Sequence, residues 1–256
     1  MTETNRTPRG TRYRVLVAVL FGLIGFGVNF LDIDLLQDTP FQVNLLVGLL
    51  FPLLVAQAWG WRYGLLSALA GGAQSMWWLW WTDGYGFLYA VPVFTLWIVW
   101  HGFWADRRRH ARRASRLRSA FVVEVPFRLA SELGFYTIFR WLVSLNPPPW
   151  APSITWDHVP LSWVNTVAVK HTITAYLLLL LCHVALRTAP VRRFFRLRKL
   201  PAQAAVSGIY AAGFLLGAFM WLLDGAVDYL LFNPDQRTFW QTTVLDVRPH
   251  DLFMRN

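Results

Sequence analysis

Between two long apolar runs the chain reads RRRHARRASRLR, Arg107 to Arg118, with seven arginines in twelve positions. Charge of that density has no place in a core. Flanked by runs of membrane length, it marks a cytoplasmic loop under the positive-inside rule. The other basic residues fall into register with it. Arg6, Arg9, Arg12 and Arg14 precede the first apolar run, and Arg62 lies in a short second turn. Arg187, Arg192, Arg193, Arg196, Arg198 and Lys199 form another basic loop. Eighteen of the 24 Lys and Arg residues thus fall in alternate connections. The opposite connections carry Asp32, Asp34, Asp38, Asp83 and Asp157, with no basic residue until Arg237. The pattern predicts a polytopic membrane protein with its N-terminus in the cytoplasm.

Composition fits that reading. Soluble domains have about 25% charged residues, whereas this chain has 15% charged and 55% hydrophobic residues. A formal charge of +10 would point to nucleic acid in a soluble protein. Here the arginines border apolar spans, so they serve topology and attraction to anionic headgroups, and no nucleic-acid partner is expected. The lone Cys182 excludes an intramolecular disulfide, and no Cys/His cluster has zinc-site spacing. No cofactor is expected. The run Val15 to Leu31 follows basic residues as a signal peptide would. It lacks a small-x-small cleavage site, so it reads as a retained anchor helix.

A helix needs about 20 residues to cross the hydrocarbon core, and seven segments qualify: 15–36, 42–59, 63–81, 86–105, 119–145, 161–186 and 203–232. The expected fold is therefore an all-α polytopic bundle of about seven spans. Residues 1–14 form a cytoplasmic tail, 15–232 the bundle, and 233–256 an outer C-terminal segment. No stretch outside the membrane is long enough for a soluble catalytic domain, so the chain is not expected to be an enzyme. The outer loop Asn146–Pro160 contains Pro147, Pro148 and Pro149, which disfavour helix and predict a stiff extended strip. Trp77, Trp78, Trp80 and Trp81 crowd the outer end of the third span, and Trp97, Trp100 and Trp104 approach the inner end of the fourth. An interfacial belt and an aromatic ligand pocket both account for them. Gly64/Ala68/Gly72, Gly208/Ala212 and Gly213/Gly217 have the four-residue spacing that lets helices approach closely. They serve packing within the bundle or self-association.

Ionisable groups within a span are costly and face a cavity, a partner or one another. The fifth span holds Glu124, Arg128 and Glu132 at i,i+4 spacing, on one helix face, with Arg140 further out. Arg128 neutralises one glutamate and leaves the other needing a cation. The sixth span offers Lys170, beside His171 and one turn inward of Asn165, which predicts a Glu132–Lys170 pair. That network either fixes helix packing or borders a hydrophilic site. The ligand-binding set is Glu132, Arg140, Asn165, Lys170, Trp77 and Trp81, capped by the 146–160 loop. Asp224 and Asp228, Asn29 and Asp32, and Gln74 and Ser75 are weaker signals. His101 and His183 read as packing or capping groups. Cys182 and His183 are adjacent, about 100° apart on a helix, and do not form a dyad.

The stretch VNLLVGLLFPLLVAQAWGWRYGLLSALAGG, Val43 to Gly72, with the Trp-rich end after it, resembles the N-terminal membrane region of bacterial sensor histidine kinases and diguanylate-cyclase-type signalling proteins. Its first helices are also similar to the substrate-binding S component of energy-coupling-factor transporters. The ending VLDVRPHDLFMRN resembles the segment of those signalling proteins that precedes a last transmembrane helix and cytoplasmic output modules. The resemblance implies a sensor region in the bacterial inner membrane, taking a small polar ligand from outside and signalling through a further helix or a separate subunit. An eighth span would begin where the chain stops at Asn256, which reads as a truncated or split protein. An uptake subunit of S-component type, or a membrane assembly protein with no ligand, are the alternatives.

Overall fold

The computed structural model describes residues 8–30, 46–79, 81–110, 118–154 and 157–198, with the single positions Tyr210, Gly213 and Gly217. The expected seventh span, Asp224 and Asp228, the first acidic connection and the 233–256 segment lie outside the described residues. So do Gly208/Ala212, Trp80 and the side chain of Trp81.

Every regular element among the described residues is helical. The chain enters through α1 (Pro8–Asn29) and, after a 3-10 turn at Val47–Leu49, continues into α2 (Leu50–Trp59). Next come α3 (Trp61–Ser67), a π turn at Ala68–Gly72, and α4 (Met76–Leu79). A 3-10 turn (Trp81–Gly86) precedes α5 (Phe87–His110). The next helix starts as α6 (Ala120–Gly134), passes through a π turn (Phe135–Phe139) and ends as α7 (Arg140–Val143). Last are α8 (Leu161–Ala185) and the short α9 (Ala189–Phe194). Three helical stretches are long and apolar enough to cross a membrane: Gly10–Asn29, Gly84–His110 and Trp163–Ala185.

Helix α2 is the hub. It packs against α1, α3, α5 and α8, and Leu53, Val55 and Ala56 are fully buried. Apart from Gln57 its side chains are apolar or aromatic, so it has no polar face to expose, as expected of a helix enclosed on all sides. Gly60 ends α2 at φ 98°, in the left-handed region that favours glycine. A Cβ there would lie 2.2 Å from the Asp106 carboxylate, which accepts from the Trp61 N–H at 3.2 Å.

The expected third span, 63–81, is not one straight helix. Gly71, within the π turn, adopts φ 155° and breaks the span there, so that backbone from α1 can approach. The Gly64/Ala68/Gly72 ridge is consumed inside the chain. Cβ atoms added at Gly64 and Gly72 would meet Ala56 Cβ at 2.6 Å and Pro52 Cγ at 2.7 Å. Buried Asn29 ties the α1 end to this break. It accepts from the Gly48 N–H at 2.8 Å and donates to Ser75 Oγ at 2.8 Å.

The Pro-rich loop also departs from expectation. Two tight turns, Ala151 N–H to Pro148 O and Ile154 N–H to Ala151 O, replace the extended strip. They tuck in Ile154 and Val159, apolar residues that an extended strip would leave in water. Trp150 packs edge-on to Tyr85 at 5.0 Å and to Phe87 at 5.9 Å.

Candidate functional site

Helices α5, α6 and α8 run antiparallel to their neighbours and are joined by side-chain rungs. Between α5 and α6, Tyr89 donates to the Ser131 carbonyl, and Trp100 Nε1 donates to the Val123 carbonyl at 2.7 Å. Between α6 and α8, Tyr176 donates to the Phe121 carbonyl at 3.3 Å. Tyr136 donates to Asn165 Oδ1 at 2.5 Å.

The charged groups sit in the middle of this ladder. Glu124 and His101 are both fully buried, with Nε2 of the imidazole 2.7 Å from Oε2 of the carboxylate. Trp97 Nε1 donates to the same oxygen at 2.8 Å. Arg128, one helical turn along, donates to the other oxygen from Nε at 3.0 Å and Nη2 at 2.7 Å. Glu124 is thus saturated, as a buried carboxylate must be to stay ionised. The remaining Arg128 nitrogen, Nη1, reaches Glu132 Oε1 at 3.3 Å. His171 Nδ1 lies 3.9 Å from that same oxygen.

Within α6 itself, Arg128 bridges Glu124 and Glu132. Arg128 serves both glutamates because i−4 and i+4 positions lie on its own face. Glu132 and Lys170 line one cavity, together with Arg128 and His171. Its remaining wall includes the rings of Tyr89, Phe94, Phe135, Phe139 and Trp163. Phe135 and Phe139 belong to the π turn, an irregularity frequent at functional sites. They stack at 4.6 Å, and Phe139 stacks on Trp163 at 6.0 Å. Water-sized spheres have about 50 Å³ for their centres. That is more than the roughly 10–15 Å³ a cavity needs to hold one water. A smaller cavity shares the wall formed by Arg128, Lys170 and His171.

Of the six residues expected to bind ligand, the structure brings Glu132 and Lys170 to the cavity. Arg140, although next to the lining residue Phe139, does not line the cavity. Asn165 is exposed and held by Tyr136 on another face. Trp77 packs edge-on to Phe87 at 4.7 Å and donates to Gln74 Oε1 at 2.8 Å. The Trp81 side chain is outside the described set. His101, expected only to pack or cap, turns out to be a core partner of Glu124. A signal was present: Trp97 and His101 are i,i+4 and put two N–H-bearing rings on one face of an otherwise apolar helix. No family model, curated protein or solved structure matches this chain.

Proposed function

We propose that this chain is the membrane-embedded, small-ligand sensor region of a bacterial signalling system, a multi-pass bundle of about seven spans in the inner membrane. The observation that carries the reading is the cavity between α5, α6 and α8. It is lined by Arg128, Glu132, Lys170 and His171 and leaves space beside them. A network that only fixed packing would be filled to native density; here Glu132 and Lys170 border open volume.

The α6 surface supports membrane embedding. Leu129 and Leu133 are 69% and 66% exposed, and Val122 and Val125 also face outward, while Glu124, Arg128 and Glu132 face inward. Apolar outside and charged inside is the order that lipid demands. The continuous helix 120–143 is about 36 Å long, enough to cross. Arginines also gather at one end of the bundle. The Arg14 guanidinium lies 5.9 Å from the Trp59 ring, Arg196 lies 4.0 Å from the Tyr13 ring, and Arg108 bonds Gln57 at 2.5 Å. A cytoplasmic N-terminus accounts for that clustering.

The test is thermal unfolding of the full chain in nanodiscs with a panel of small polar solutes. A ligand binding only the folded state raises stability with concentration. At least one solute is expected to shift the wild type and fail to shift Val167→Phe, which fills the cavity. If no solute distinguishes the two proteins, the ligand reading loses its support.

A further inference from the structure

We infer that the cavity between α5, α6 and α8 takes a small zwitterion, its ammonium end held by Glu132 and the surrounding aromatic rings and its carboxylate end by Lys170. This rests on the ligand-binding reading above and names the ligand class.

Charge balance is the first reason. The acidic and basic side chains gathered here, Glu124 and Glu132 with Arg128 and Lys170, number two of each formal sign. A ligand of net charge would leave one unit uncompensated in a poorly solvated site, which is costly. A zwitterion adds none.

The wall chemistry gives the polarity. Glu132 Oε1 is engaged by Arg128, but its Oε2 is buried and lacks a hydrogen-bond partner among the described residues. An unused carboxylate oxygen on a cavity wall is an acceptor for a cationic donor. Rings enclose the same space: Tyr89 lies 6.1 Å from Phe135 and from Phe139, and Phe135 lies 6.0 Å from Trp163. Aromatic faces attract cations, and cages of this kind recognise alkylated ammonium groups. Lys170 would repel the cationic end and attract an anionic one, so it sets the orientation. Glu124 contributes no ligand contact, because its two oxygens already accept from Trp97, His101 and Arg128. The small cavity volume, about 50 Å³, limits the ligand to a compact small molecule.

The experiment is isothermal titration of the full chain in nanodiscs with four probes: glycine betaine, L-proline, choline and propionate. One zwitterion is expected to bind at least tenfold more tightly than both choline and propionate. Glu132→Gln should weaken that zwitterion at least tenfold. Lys170→Gln should weaken it similarly while leaving choline unchanged or improved, a selectivity change that general misfolding would not produce. Phe135→Leu, which keeps all charges, should weaken the zwitterion and choline together. Choline or propionate binding as tightly as either zwitterion overturns the assignment. If none of the four binds but another solute passes the Val167→Phe test, the zwitterion class falls and the sensor reading stands. If no solute passes, both fall.

Discussion

His101 Nε2 and Glu124 Oε2 lie 2.7 Å apart with both side chains fully buried, joining α5 to α6 at the level where Trp97 and Arg128 also converge. The two ends of this contact are unequal. Without His101, Glu124 keeps Trp97 and Arg128. Without Glu124, Trp97 and His101 lose their acceptor and Arg128 retains only Glu132. Glu124→Leu is therefore expected to cost about 3–5 kcal/mol, the usual cost of halving a buried pair. His101→Phe should cost about 1–3 kcal/mol, the range for one unmade buried hydrogen bond. Thermal unfolding in detergent measures both, and equal losses would contradict the asymmetry.

Arg128 bridges two carboxylates, so coupling energies should rank in a fixed order. A double-mutant cycle isolates the pairwise term for residues in one network, usually about 0.5–3 kcal/mol. Arg128→Leu with Glu124→Leu should give the largest value, since two guanidinium nitrogens meet that carboxylate within 3.0 Å. Arg128 with Glu132 should give less, from the single 3.3 Å contact. Lys170→Met with Glu132→Leu should give the least. A Lys170–Glu132 coupling above the Arg128–Glu124 value would make Lys170, not Arg128, the main partner of the α6 carboxylates.

What the sequence made legible was what local spacing controls. The apolar runs of α1, α5 and α8 are long enough to be read without knowing their neighbours. The i,i+4 charges of α6 place Glu124, Arg128 and Glu132 on one face for any helix. Contacts between distant segments were not legible. The i,i+4 pair Trp97 and His101 signals that a polar partner is needed, but it does not say that Glu124, 23 residues later, is that partner. The π turn at Phe135–Phe139 comes from packing, and the sequence FYTIF is equally compatible with ordinary helix. Gly71, next to the Gly64/Ala68/Gly72 ridge, gives no sign in the sequence of the φ of 155° that makes it a break. The Pro-rich loop misled because three prolines favour extension locally, while burial of Ile154 and Val159 favours turns.

Two glycines of α1 should respond oppositely to the same substitution. A Cβ at Gly22 would fall 2.3 Å from the Ser67 carbonyl oxygen, where backbone has little room to yield. Gly22→Ala is expected to destabilise by about 1–3 kcal/mol, as overpacking does. At Gly27 a Cβ meets no atom within 4 Å among the described residues. Gly27→Ala should gain about 0.5–1 kcal/mol from the lower backbone entropy of alanine. Melting temperatures of the two variants in one detergent make the comparison. A loss at both positions would mean that the Gly27 face also packs closely.

Orientation in the bilayer is open to chemical labelling, and the structure supplies suitable positions. Arg193, on α9, is exposed at the end where Phe195 docks on Trp59, the rings 5.0 Å apart. Ser153, in the loop before α8, is exposed at the opposite end. The 25 residues of α8 separate the two ends, about 37 Å at 1.5 Å per residue. Background should be low, because the native Cys182 is only 1% exposed. In intact cells a membrane-impermeant maleimide should modify Ser153→Cys, and Arg193→Cys should react only after the membrane is opened. The reason is electrostatic: eighteen basic residues lie in the connections assigned to the cytoplasm, and positive charge is retained on that side. Reaction of Arg193→Cys alone from outside would invert the bundle. Reaction of both from outside would show that α8 does not cross at all.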